Sequence, residues 1–149
     1  MTLDDLDAAV DIYCETYRHS SLEAFKRSEL IDLFPEKSGA SSLVGSTWVD
    51  PWPYLDEAGV YAFLTSSLEV FYIGKASMGN GLGYRVNSYC TYADKLRTTC
   101  KLRHEWENFD VRYVYMIVVP DTSRFEAPAL EEYLLSKIKT VANKNGLAP

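Results

Sequence analysis

Residues 59–74 read Gly-Val-Tyr-Ala-Phe-Leu-Thr-Ser-Ser-Leu-Glu-Val-Phe-Tyr-Ile-Gly, and this stretch decides the fold. Residues 60–65 and 69–73 are rich in β-branched and aromatic side chains, with Ser66-Ser67 between them, which predicts a β-hairpin. A turn centred on Ser66-Ser67 sets Thr65 against Leu68 and, counting outward, Tyr61 against Tyr72. The two phenols then share one side of the sheet with Cβ atoms about 5 Å apart. A one-residue slip would send one of them to the other face. Facing tyrosines are commonly a packing pair, so the hairpin alone does not specify a function.

Downstream, Gly79, Gly81 and Gly83 loosen a loop that leads into a predicted helix over residues 84–93. A further helix is expected over residues 95–108, carrying Lys95, Arg97, Lys101, Arg103 and Trp106. Residues 111–119 (VRYVYMIVV) form the clearest strand, stopped by Pro120-Asp121. Pro128 suits a first helical turn, and apolar periodicity runs on through residues 129–140. Upstream, Thr2 caps a helix whose first turn holds Asp4 and Asp5, with Leu3, Leu6, Val10, Tyr13 and Tyr17 as its apolar stripe. Ser20 with Glu23 has the form of a capping box, predicting a second helix through Leu22, Phe25, Leu30 and Phe34 that Pro35 ends. Residues 35–59 read as an ordered connector anchored by Trp48, Trp52 and Tyr54. The expected fold is α+β: a small central antiparallel sheet of about three strands flanked by helices, with an N-terminal helical extension. Residues 1–58 form an acidic helical extension and connector packed on a core of residues 59–149, one domain overall.

The 149 residues suffice for one apolar core, and a hydrophobic fraction of 47% with eleven tyrosines excludes a disordered chain. No apolar run approaches the roughly 20 residues that cross a bilayer, and the acidic start lacks the features of a signal peptide, so a cytoplasmic protein without a membrane partner is expected. Cys14, Cys90 and Cys100 form no CxxC motif, and with His19 and His104 they do not supply a structural zinc site. The formal net charge of -6 is unevenly spread. Residues 1–58 carry twelve acids and four bases, whereas residues 75–112 carry seven bases (Lys75, Arg85, Lys95, Arg97, Lys101, Arg103, Arg112) and four acids. A chain that is acidic as a whole can still meet phosphates through one local face.

The last helix adds an independent hint. At ~100° per residue, Leu130, Leu134, Ile138 and Val141 make a stripe with Leu135 on its flank. Glu131 falls about 45° from the stripe's centre and Glu132 nearly opposite. A carboxylate turned toward a buried face needs a cation. That cation is a basic side chain, Lys75 or Arg85, or a metal ion, and the helical wheel does not choose between them. Gly79-x-Gly81-x-Gly83 lacks the spacing of a nucleotide-binding loop.

Gly59-Val60-Tyr61, eleven residues before Tyr72-Ile73-Gly74, resembles the two-part signature of the GIY-YIG nucleases. Lys75 follows directly, as in the nuclease module of the bacterial excision-repair incision subunit. Leu82-Gly83-Tyr84-Arg85-Val86 resembles the family's Leu-x-x-Arg segment, and Tyr89 matches a position often held by His or Tyr. Glu131 matches the metal-binding Glu, with Leu134 and Leu135 as the following apolar pair. Asn143 matches the closing Asn, although the Pro that usually precedes it is absent and a helix C-cap would serve equally well. The loop between Tyr72-Ile73-Gly74 and Arg85 is about three residues longer than usual. The resemblance covers residues 59–143 and leaves 1–58 unmatched.

The resemblance implies a phosphodiester-cleaving endonuclease using Mg²⁺ or Mn²⁺ held by Glu131. It implies catalytic roles for Tyr61, Tyr72, Lys75, Arg85, Tyr89 and Glu131, with Tyr61 taking a proton from water. Lys75, Arg85, Lys95, Arg97, Lys101, Arg103 and Asn143 are expected to contact nucleic acid, DNA first. A silent binding module of the same fold is the alternative. The acidic N-terminal segment is a candidate surface for an inhibitory or regulatory protein partner.

Overall fold

The computed structural model describes residues 1–39 and 51–143; Trp48 lies outside them. Among these residues β3 (Gly59–Thr65), β4 (Val70–Ala76) and β7 (Val111–Val118) form the antiparallel centre of the sheet. The helices are α1 (Leu3–Tyr17), α2 (Leu82–Asn87) and α3 (Glu126–Lys137). Two short strands, β1 (Lys26–Arg27) and β2 (Ile31–Asp32), lie along the outer edge of β7, giving the order β1/β2, β7, β3, β4. A separate small hairpin joins β5 (Cys90–Tyr92) to β6 (Cys100–Leu102).

Strand alternation divides the interior in two. Val60, Ala62 and Leu64 pack with α1 and α3 through Leu6, Val10, Leu130 and Leu134. Tyr61 and Phe63 point the other way, toward Leu82, Val86, Tyr89 and Trp106. Every residue of β3 is therefore buried, as a strand covered on both faces must be.

The hairpin register differs from the expected one by two residues, and two separate causes account for it. The turn takes three residues rather than two: Thr65 N–H donates to the Glu69 carbonyl, and Leu68 adopts a φ of 63°. A bulge then inserts Phe71 between the pairs Leu64–Val70 and Phe63–Tyr72. Each slip alone would turn Tyr72 to the opposite face, but together they restore the parity. Tyr61 consequently lies opposite Gly74, and its ring is 6.3 Å from that of Tyr72. The bulge also brings the consecutive residues Phe71 and Tyr72 onto Trp106, with centroids 5.2 and 5.3 Å away.

This register explains the two glycines that bound the hairpin. A Cβ on Gly74 would lie 2.5 Å from Tyr61 Cζ, and one on Gly59 would run into the Ile117 carbonyl of β7. Gly74 is the seat of the Tyr61 ring. Gly74→Ala should displace that ring and cost about 1–3 kcal/mol in urea unfolding. A variant within about 0.5 kcal/mol of the parent would show that the ring does not rest there.

Residues 1–34 are integral to the packing. The Thr2–Asp5 capping box starts α1, and Leu6, Val10 and Tyr13 are buried, while Tyr17 is 66% exposed. Arg18 grips Glu126 at the start of α3 through contacts of 2.7 and 3.0 Å, with both side chains nearly buried. The helix expected over residues 20–34 is absent. This segment supplies β1 and β2, because the edge of β7 offers unpaired backbone groups that a strand satisfies and a helix does not. Asp7 and Asp11 of the acidic segment are engaged by Arg27, and Asp7 also accepts from Tyr115. No helix among the described residues is long and apolar enough to cross a membrane.

Two further helical expectations fail. The helix expected over residues 84–93 spans Leu82–Asn87 and gives way to β5. The helix expected over residues 95–108 is instead a turn, β6 and one turn of 3-10 helix at His104–Trp106. Gly81 and Gly83 serve close packing, since a Cβ on either would strike the 52–56 segment.

Candidate functional site

A cleft of about 470 Å³ opens at the free edge of β4. Tyr72, Lys75, Arg103, Trp106, Glu131 and Asn143 are among its lining residues. Strand parity sends Tyr72 and Lys75 to opposite faces of β4, and both reach the cleft because an edge strand exposes both sides. Across it, Lys75 Nζ donates to Glu131 Oε2 at 2.8 Å. Glu131 retains 19% side-chain exposure and Lys75 39%, whereas Glu132 is exposed. The helix geometry that singled out Glu131 is realised through Leu130 and Leu134, with Lys75 as its cation. However, α3 ends at Lys137, and Val141, the last residue of the expected stripe, is exposed.

Three phenols are linked behind the cleft. Tyr89 Oη donates to Tyr72 Oη at 2.9 Å, and Tyr61 and Tyr89 share a second bond of 2.9 Å. Trp106 stacks on Tyr89 with centroids 5.0 Å apart, and the Arg103 guanidinium lies 5.1 Å from the Tyr89 ring centre. Tyr61 has no exposed surface. Burial pushes its phenol up to about 12, against the pull of the Tyr89 hydrogen bond and the Arg85 charge. Tyr89 is also pushed up to about 12, by burial and by Tyr61. Tyr72 is raised further, chiefly by burial and Tyr89, with the Glu131 charge adding to the effect and Arg103 opposing it.

These shifts make an alkaline prediction. Phenols whose folded pKa exceeds the unfolded value near 10 contribute stability that is intact below that pH and lost as pH rises through about 12. In a near-ultraviolet titration of the eleven tyrosines, Tyr61, Tyr72 and Tyr89 should therefore ionise in the last group, together with unfolding and with Tyr115, which burial and Asp7 also push up. Phenylalanine variants that left the late fraction unchanged would contradict the network.

The sequence-predicted residues separate into groups. Tyr72, Lys75, Glu131, Arg103 and Asn143 line the cleft. Tyr61 and Tyr89 stand behind Tyr72. Arg85 is exposed on α2 and lines a second opening of about 390 Å³, which Lys75 shares. Lys101 is paired with Glu107 at 2.7 Å. Lys95 and Arg97 sit at the tip of the β5–β6 hairpin, away from any helix. Asn143 accepts from Ile73 N–H at 2.9 Å and donates to the Ile73 carbonyl at 2.7 Å. That exchange closes part of the β4 edge, so its amide positions the strand rather than reaching for phosphate. Trp106 was absent from the expected site because a helix over residues 95–108 gave it no reason to meet the phenols.

Among the described residues no group of three or more His, Cys, Asp or Glu converges on one point. Glu131 therefore offers a single hard oxygen donor group. That suits a Mg²⁺ or Mn²⁺ ion that keeps most of its waters and takes its remaining ligands from a phosphate. It does not suit a closed structural site. The residues fit such an ion on condition that Lys75 shares or yields the carboxylate. Comparison with protein-family models, curated proteins and solved structures finds no match for this chain.

Proposed function

We propose that this protein is a metal-dependent endonuclease that hydrolyses phosphodiester bonds in DNA, built on the GIY-YIG pattern. The observation that carries the proposal is the meeting of Tyr72, Lys75 and Glu131 at one cleft, with Arg85 beside Lys75 at the adjoining opening, in a chain whose motif order assigns these four to nuclease work. Glu131 would hold the divalent ion. Bound there, the ion would supply Lewis-acid charge to the phosphate and to the departing 3′ oxygen.

The protein's own groups do the rest. Lys75 and Arg85 flank the second opening, and they would take phosphate oxygens as a phosphodiester enters. Lys75 exchanges Glu131 for phosphate, which frees the carboxylate. Tyr72 is the phenol at the cleft wall, so it faces the attacking water and replaces Tyr61 as proton acceptor. Its phenolate would keep the hydrogen bond that Tyr89 donates. Compensating the Glu131 charge removes one of the influences that keep Tyr72 protonated. Tyr61, out of contact with water, supports Tyr89.

The closed Lys75–Glu131 pair favours a second function, a silent module that binds nucleic acid without cutting it. A plasmid-nicking assay with Mg²⁺ or Mn²⁺ and an EDTA control separates the two. The nuclease nicks supercoiled DNA only with metal, whereas a silent module retards the plasmid in a gel and leaves it intact.

A further inference from the structure

We propose that the β5–β6 hairpin is a wedge for double-stranded DNA, with Leu96 entering between base pairs and Lys95 and Arg97 holding the phosphates on either side. The proposal rests on the nuclease function for its ligand and adds how the duplex is gripped.

Leu96 is 84% exposed and belongs to neither apolar core. Its neighbours Lys95 and Arg97 are both exposed. One exposed leucine is ordinary in itself; what sets Leu96 apart is its place at a hairpin tip with an exposed cation on each side. Partners of mixed character fit: negative charge on the outside, an apolar slot within. A DNA duplex has that arrangement, and apolar wedges flanked by basic side chains are a known means of unstacking a base step.

The tip is also built to stay in place. Asp94 accepts four hydrogen bonds, from the backbone N–H and side-chain hydroxyl of both Thr98 and Thr99, at 2.6 to 3.2 Å. This commits the hairpin's own acid to the turn, while Lys95 and Arg97 stay exposed. Ala93 N–H donates to the Thr99 carbonyl, closing the turn. Arg97 holds a left-handed φ of 58°, and its guanidinium lies 5.4 Å from the Tyr92 ring centre. A tip fixed in advance loses little freedom on binding.

The hairpin springs from the candidate site. Tyr89 precedes β5, Arg103 follows β6, and Arg103 N–H donates to the Tyr89 carbonyl at 2.8 Å. Extended chain covers about 3.3 Å per residue, so Leu96 lies at most roughly 23 Å from Tyr89. At about 3.4 Å per base pair, the unstacked step should fall within about seven base pairs of the cut.

The test uses the full chain, EDTA and duplexes carrying one 2-aminopurine at successive positions. Binding should brighten the probe severalfold at one step, and Leu96→Ser should remove that brightening. Lys95→Gln with Arg97→Gln should lower the slope of log affinity against log salt by about 1.8. The wedge is overturned if the duplex binds with no position brightening, if it does not bind, or if Leu96→Ser brightens as the parent does. Because no cutting occurs in EDTA, brightening by a protein that never nicks DNA would keep the wedge and remove the nuclease function. Nicking without brightening would do the converse.

Discussion

Glu131→Ala is expected to reduce metal-dependent cleavage by about a thousandfold or more while the domain stays folded. Two carboxylates line the cleft, Glu131 and Glu105. Glu105 faces Arg103 at 3.4 Å, and Glu131 is the one proposed to hold the ion, so its loss removes that charge. Stability should change little. Lys75, left without its partner, is 39% exposed and can be solvated, and solvent-screened ion pairs contribute at most about 1 kcal/mol. Glu131→Gln should behave alike, since it keeps the shape and removes the charge. Glu132→Ala is the control one position along α3 on the exposed side, and it should cut normally. Single-turnover nicking with a parallel thermal melt checks all three variants. More than about a tenth of the parent rate in Glu131→Ala would remove the ion from this carboxylate.

Tyr72→Phe should cost about 10²–10³ in rate, within the range of general acid–base contributions. The parent rate should rise about tenfold per pH unit through neutrality, because the reactive phenolate is scarce there. Tyr72→Phe should flatten that profile. Tyr61→Phe should act on stability instead, costing about 1–3 kcal/mol because Tyr89 loses a buried partner, with less than a tenfold change in rate. This reverses the order of importance expected from the sequence, where Tyr61 took the proton. A larger rate loss for Tyr61→Phe than for Tyr72→Phe would return the role to Tyr61 and require the cleft to open as DNA binds.

The parts legible in the sequence were those with local causes. The Thr2 cap with Asp4 and Asp5 in the first turn, the apolar period of α1, the β-rich hairpin and the run that became β7 are short-range signals, and each produced the expected element. The stripe on α3 distinguished Glu131 from Glu132 because a helix fixes which side chains share a face. Long-range causes escaped. Ser20 and Glu23 have the form of a cap, yet His19 and Ser21 bond to each other and Arg18 holds the Glu23 carbonyl. Residues 26–32 then pair with β7, an edge invisible in a local pattern. Leu22 is 46% exposed and contributes no helical stripe.

The helix expected over residues 95–108 failed for a reason the sequence does contain. Thr91, Tyr92, Thr98 and Thr99 favour strands, and Asp94 followed by Thr98-Thr99 can bind its own backbone in a turn. Reading that segment as a helical basic face hid Trp106 from the site and Leu96 from notice. The bulge at Phe71 was equally hidden, since it depends on how Trp106 receives two adjacent rings.

The central claim is that Glu131 exchanges Lys75 for a divalent ion when a phosphate occupies the cleft. Crystals grown with a phosphorothioate duplex and soaked in manganese, measured for anomalous scattering, test it most directly. One manganese peak should lie against the Glu131 carboxylate, beside a phosphate oxygen, with Lys75 Nζ moved onto the DNA. Saturating manganese and bound duplex with Lys75 still closed on Glu131 and no peak at that carboxylate would contradict it.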